Sequence, residues 1–336
     1  MKDRSLSNAS QRSSHGLPSA RIGLGLAALG RPGYINLGHA SDLRSGRSVE
    51  AMESHSHLVM DAAHAAGVRY FDAARSYGRS EAFLANWLAS RKMSPSLVTV
   101  GSKWGYIYTA DWRTDAEKHE IKQHTIENLL KQEHESINLL GSYLHLYQIH
   151  SATLESGVLN DPAILDELSR LQSTGMKIGL SLSGPKQAET LRQAMDIEVN
   201  NRPLFDCVQA TWNMLERSAG AALLEAHNRG MGVIIKEGLA NGRLTSRNND
   251  PAFATQRTLL NDEAQRLGTT IDALALACIL ACPWVDIVLS GAATIEQLQS
   301  NLQANAIDAS ESLDRLNSLV ESPSDYWQTR AQLPWN

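Results

Sequence analysis

Four side chains in this sequence have the chemistry to manage a proton at a carbonyl oxygen: Asp72, Tyr77, Lys103 and His150. Asp72 closes the apolar run Tyr70-Phe71. A short polar loop then presents Tyr77-Gly78, and a helical pattern begins at Ser80-Glu81. Lys103 ends the apolar stretch 98–103, and His150 ends the stretch 144–150. Reduction of a carbonyl by hydride needs a proton donor at the oxygen. A phenol is a weak acid, with a reference pKa of about 10, and a nearby ammonium favours its ionised form. Lys103 would supply that ammonium, Asp72 would hold it, and His150 would orient the carbonyl. A positioned acid of this kind contributes roughly 10²–10⁴-fold in rate. Taken singly, Asp72 reads as a helix cap and His150 as a core histidine. Their order at successive strand ends favours the functional reading.

Those strand ends must be brought to one place. Apolar runs at 22–29, 70–74, 98–103, 144–150, 177–183, 207–212, 232–237 and 285–289 read as strands. Helical patterns at 57–66, 80–90, 118–140, 163–174, 186–194, 220–229, 269–281 and 295–304 separate them. Strands alternating with helices mean βα units and a parallel sheet. Eight such units predict a (β/α)₈ TIM barrel, in which carboxyl ends of different strands share one face. Asp72, Lys103, His150, Ser181, Gln209 and Lys236 all fall toward those ends. The predicted barrel runs over 21–322, after a disordered polar tail at 1–20. A second tail, 323–336, carries Tyr326, Trp327 and Trp335 for packing or for the pocket. The stretch 244–258 reads as a long loop after the seventh strand.

With 336 residues, a net charge of -5 and no basic cluster, the chain carries no footprint for nucleic acid or a membrane surface. Three cysteines, Cys207, Cys278 and Cys282, build no disulfide framework and fit a reducing, cytoplasmic compartment. No metal site is expected from them. Gly23-Leu24-Gly25 has the letters of a dinucleotide fingerprint, but Pro32 and Gly33 follow where its helix should begin. The glycines are better read as places of close approach.

The segments Asp72…Tyr77-Gly78…Ser80-Glu81, Lys103 and His150 resemble the aldo-keto reductase family, and the resemblance covers nearly the whole barrel, from Ile22 to about Leu302. The resemblance implies a catalytic tetrad of Asp72, Tyr77, Lys103 and His150, with Tyr77 as general acid/base. It implies a nicotinamide cofactor, NADP by family default with NAD as the alternative. Ser181 and Gln209 would hold the carboxamide. Leu239, Ala240, Asn241, Gly242 and Leu244 would wrap the pyrophosphate. Gly291, Ala293, Gln297 and Asn301 would form the adenosine end, and Gly25, Leu26 and Lys236 complete the cofactor set. The sequence departs from the family at Leu182, Lys236, Ala293 and Ser300, which replace an asparagine, an aromatic, a small polar or basic residue and a glutamate. The implied activity is reduction of an aldehyde or ketone, or the reverse alcohol oxidation, on a small-molecule substrate. The alternative is a nicotinamide-binding regulatory or redox-sensing subunit with little turnover. Substrate specificity is expected from 39–56, from 106–115 with Tyr106, Tyr108 and Trp112, and from the C-terminal tryptophans. Neither the substrate nor the oligomeric state is legible.

Overall fold

The computed structural model describes residues 15–44 and 46–336. Eight parallel strands close into a barrel in chain order. They are β1 (Ile22–Gly25), β2 (Tyr70–Asp72), β3 (Thr99–Trp104), β4 (Leu144–Ala152), β5 (Lys177–Leu182), β6 (Cys207–Thr211), β7 (Gly232–Lys236) and β8 (Ile287–Ser290). Closure is by β1 on β8, with Gly23 opposite Leu289. The fold is the (β/α)₈ barrel that the alternating pattern predicts. Every strand has helices outside it and side chains inside it, so its apolar run is nearly continuous.

The helices are α1 (Val49–Ala65), α2 (Ser80–Ser90), α3 (Ile126–Leu140), α4 (Pro162–Ser173), α5 (Gln187–Met195), α6 (Gly220–Asn228), α7 (Ala254–Arg266), α8 (Ile271–Leu280), α9 (Ile295–Leu302), the single turn α10 (Ser312–Arg315) and α11 (Pro323–Ala331). Their starts follow capping chemistry. Thr125, Thr270, Thr294 and Ser322 each accept a hydrogen bond from a backbone N–H in the first turn. Asp161 does the same ahead of Pro162, whose missing N–H is no loss at that position.

The structure revises three sequence expectations. The pattern at 118–140 is not one helix: Glu120–Lys122 pairs with Tyr106–Tyr108 as a hairpin, and α3 starts only after Thr125. Tyr-Ile-Tyr facing Glu-Ile-Lys is alternation at strand period, hidden inside a charged run that also fits a helix. The stretch 244–258 is shorter as a loop, because Asp250 caps a turn that leads into α7. Residues 1–14 of the expected N-terminal tail lie outside the described residues. Leu17, however, is buried with Tyr70, Leu146, Cys207, Ile234, Ile287 and Leu289 inside the barrel. Gly232 makes room for it, since a Cβ there would sit 2.8 Å from Leu17 Cδ1. Among the described residues no helix is long and apolar enough to cross a membrane.

Tyr70 fills the barrel beneath the chemistry, and two absent side chains admit it. A Cβ at Gly101 would lie 2.2 Å from the Tyr70 hydroxyl, and one at Gly23 would lie 2.9 Å from Tyr70 Cδ1. The same hydroxyl donates to Asp72 Oδ1 at 3.3 Å. Gly101→Ala should therefore push Tyr70 off its seat and disturb Asp72 together. Overpacking of this kind costs about 1–3 kcal/mol. A thermal melt should show a lower Tm, and activity should fall more than folded fraction does.

Candidate active site

Asp72, Lys103 and His150 come from β2, β3 and β4, three neighbouring strands, and Tyr77 from the loop that follows β2. Lys103 is wholly buried, and its ammonium donates to Asp72 Oδ2 at 2.5 Å and to the Ala73 carbonyl at 3.0 Å. Its third neighbour is the Tyr77 hydroxyl, at 3.5 Å. The other Asp72 oxygen accepts from Gln209 Nε2 at 2.9 Å. The carboxylate is thus saturated with donors, as a buried charge requires.

Tyr77 and His150 meet edge to face, with ring centroids 5.4 Å apart. Ser76 Oγ lies 3.3 Å from His150 Nδ1. With the serine donating, the neutral ring carries its proton on Nε2, ready to donate toward the cleft. Burial, then the charges of Lys103, Lys236 and Arg31, hold His150 well below the usual histidine range. The imidazole is neutral at physiological pH.

The phenol departs from the sequence expectation. Burial and then the Asp72 charge push Tyr77 well above its usual value, with Arg31 opposing them. Asp72 neutralises the field of Lys103 at closer range than Lys103 approaches the phenol. Tyr77 is therefore loaded as an acid, with Lys103 beside it to receive charge only as the proton leaves.

These groups open into a cleft of about 520 Å³. Of the sequence-predicted residues, Gly25, Asp72, Tyr77, His150, Gln209, Lys236, Leu239, Asn241, Gly242, Gly291, Gln297 and Asn301 line it. Lys103 lies one layer behind Asp72 and Tyr77. Leu26, Ala240, Leu244 and Ala293 are buried behind the wall, where they pack the loops that form it. Ser181 is not brought to the cleft: its Oγ accepts the Ser151 N–H at 2.8 Å, and Ser183 lines the cleft instead. Ser151 has φ +54°, and that backbone turn aims its N–H at Ser181.

Lys236 Nζ donates to Thr211 Oγ1 at 2.8 Å and lies 3.9 Å from Glu237. Burial lowers its pKa to about 8, with Glu237 opposing and Arg330 and Lys103 assisting. Glu237 sits at φ +54° and is clamped by Arg330 of α11, whose Nε donates to it at 2.9 and 3.0 Å. Burial would raise that carboxyl, but Arg330 and then Lys236 bring it down to about 2.

Two buried acceptors in the wall, Gln209 Oε1 and Asn241 Oδ1, have no partner among the described residues. They suit the amide and hydroxyl donors of a nicotinamide nucleotide, and the cleft runs from Tyr77 past both to Asn301. Asp42 crosses the far end. It binds Arg247 through both oxygens, at 2.5 and 2.9 Å, and accepts from Gln297 Nε2 at 2.9 Å.

Several of these residues carry no sequence signal for their role. Ser76 lies inside the motif but is an ordinary loop serine. Arg31, Asp42, Arg247 and Arg330 come from segments far apart along the chain. Trp335, one of the expected tail aromatics, does line the cleft, whereas Tyr326 and Trp327 pack against the barrel.

The model of the aldo/keto reductase family matches residues 21–321. The chain belongs to that family, and it is an oxidoreductase of the NAD(P)H-dependent kind. It is 26% identical over 267 residues to "Uncharacterized oxidoreductase YqkF" of Bacillus subtilis, covering 73% of this chain and 80% of that protein. It is 23% identical over 304 residues to "Protein tas" of Escherichia coli, covering 77% and 87%. The holo form of the aldo-keto reductase AKR11C1 from Bacillus halodurans has the same fold, with a TM-score of 0.69 at 20% identity over 93% of this chain and 96% of that one.

Ser76→Ala should leave the fold intact and release the His150 tautomer. The expected result is a fall in kcat of about 5-fold, with KM for nucleotide within twofold, the size of a lost neutral hydrogen bond of roughly 1 kcal/mol. Steady-state kinetics with each substrate varied would check it.

Proposed function

We propose that the protein reduces an aldehyde or ketone to an alcohol, or runs the reverse oxidation, with Tyr77 as general acid/base. One observation carries the reading. Tyr77, His150 and Asp72 line one cleft, and the Lys103 ammonium stands behind them, held by Asp72 and 3.5 Å from the Tyr77 hydroxyl.

The nicotinamide supplies the hydride when bound. Gln209 Oε1 would accept from its carboxamide N–H, and Asn241 and Gly242 would border its phosphates. His150 Nε2 donates to the substrate carbonyl oxygen and fixes it near the phenol. Tyr77 would give its proton to that oxygen as negative charge develops there. Lys103, at 3.5 Å, stabilises the phenolate left behind. Asp72 keeps the ammonium in place, so that little reorganisation is needed at the moment of transfer. In the oxidative direction each proton moves back along the same path.

Lys236 places a cation in the cofactor wall. A cation there disfavours the oxidised, positively charged ring relative to the neutral reduced one. The affinity for the reduced cofactor is raised over that for the oxidised one while Lys236 is protonated. NADP remains the expected cofactor, with NAD the alternative. The Asp42–Arg247 pair at the far end of the cleft bears on that choice, because a guanidinium would suit a phosphate and a carboxylate would suit a ribose hydroxyl.

Tyr77→Phe should lower kcat by at least 10³-fold while nucleotide still binds within threefold of the parent Kd. Wild-type turnover in that variant would reject the assignment. For Lys236, fluorescence titration of reduced and oxidised cofactor should give a Kd ratio that changes with pH. Below about pH 8 the ammonium is present and the oxidised form binds more weakly. As pH rises through that value the charge is lost and the two affinities converge. Lys236→Met should show the converged ratio at every pH.

A further inference from the structure

We propose that Arg31 forms an anion subsite beside Tyr77, so that the preferred substrate is a carbonyl compound bearing a carboxylate. The inference rests on Tyr77 marking the carbonyl position. Arg31 lies in the loop after β1 and is 2% exposed, yet it lines the cleft. Its guanidinium carbon sits 5.0 Å from the Tyr77 ring centre, 5.1 Å from Tyr34 and 4.7 Å from Trp335. Three aromatic faces fix its plane without using its hydrogen bonds. All of its hydrogen bonding passes through one nitrogen. Nη1 donates to the Ser76 carbonyl at 3.1 Å and to Glu120 Oε2 at 2.8 Å. Nε is buried with no partner, and Nη2 makes no hydrogen bond among the described residues.

Stitching the loop to the hairpin would need only Nη1. A second nitrogen, held on the cleft wall and left without an acceptor, is a standing demand for an oxyanion. The surrounding charge agrees. Glu120 is spent on Arg31, Glu237 on Arg330, and Asp72 on Lys103. Lys236 is then left as a cation only 3.9 Å from a shared carboxylate, so the substrate end of the cleft is net positive. Trp335 closes the box from the C-terminus. It stacks on His119 at 4.0 Å, and Asn336 ties it down through Tyr34 and Asn36. One oxygen of a carboxylate would sit at the unpartnered Nη2, while Nε stays buried. That contact would draw the carbonyl toward Tyr77.

The test compares matched aldehydes: 4-formylbenzoate with benzaldehyde, and succinic semialdehyde with butanal. Each is assayed for kcat/KM and, separately, for binding to the protein with oxidised nucleotide by calorimetry. The acid should be preferred by at least 10-fold in each pair. Arg31→Gln should collapse the acid-to-neutral ratio by about 30-fold, chiefly through KM, and Arg31→Lys should restore part of it. Glu120→Gln, which removes the competing carboxylate while keeping Arg31, should lower KM for the acids several-fold. Equal losses for acid and neutral aldehyde in Arg31→Gln would show that Arg31 only braces Tyr77, and would overturn the subsite. So would a wild type that turns over both members of a pair equally, while leaving carbonyl reduction standing. Acid binding that depends on Arg31, without turnover of any aldehyde, would instead uphold the subsite and reject the reduction.

Discussion

A lysine and an aspartate buried together inside the barrel are the constraint around which the site is built. Lys103 has no exposed surface, and Asp72 almost none. Two such charges are costly to remove from water, and their attraction alone seldom compensates. They are tolerated because both are satisfied: Lys103 by the carboxylate and a backbone carbonyl, Asp72 by Gln209 and Tyr70 as well. Removing either partner would leave a bare buried charge, at a cost of about 3–5 kcal/mol. The pair fixes the relative positions of β2, β3 and β6. The phenol that faces it inherits a fixed electrostatic environment.

That environment is graded along the cleft. Beside the phenol the nearest ion pair is neutral in sum, and burial with the Asp72 charge favours the protonated phenol. Further along, Lys236 and Glu237 stand where the chain leaves β7. Glu237 adopts a left-handed backbone conformation that a residue with a side chain adopts at a cost. The strain is held by Arg330, by Thr211 and by Asn213, whose amide donates to the Glu237 carbonyl. An arginine from the last helix thereby sets the charge at the end of β7. The C-terminal segment belongs to the site electrostatically as well as sterically.

The barrel and the meeting of Asp72, Tyr77, Lys103 and His150 were legible because both depend on local pattern. Asp72, Lys103 and His150 each end an apolar run, and the fold brings such ends together whatever the loops do. Gln209 and Lys236 were legible for the same reason. Ser181 obeyed the pattern and yet turned away, because the backbone of Ser151 offered a better partner than the cleft. The charged run before α3 was misleading, since its spacing satisfies helix and strand periods alike. Arg31 was invisible because its environment comes from Tyr34, Ser76, Glu120 and Trp335, and no spacing along one chain predicts that meeting. Ser76 was invisible for a related reason: its partner lies 74 residues away.

The contrast between Lys103 and Arg31 shows why burial alone does not assign a role. Both are cations with almost no exposed surface, and both approach Tyr77. Lys103 is a compact ammonium whose donors are all engaged, so it acts on the phenol through its charge and can take no ligand. Arg31 presents a rigid plane whose hydrogen bonds among the described residues leave through Nη1, while Nη2 stays uncommitted. Chemistry at the tetrad needs the first arrangement, since a proton donor must be tuned without being displaced. Recognition needs the second, since selectivity arises when a buried donor is satisfied by one substrate and left bare by another. On the proposed reading, the tyrosine between them would join the two functions, and the choice of substrate would depend on the same ring that carries the proton.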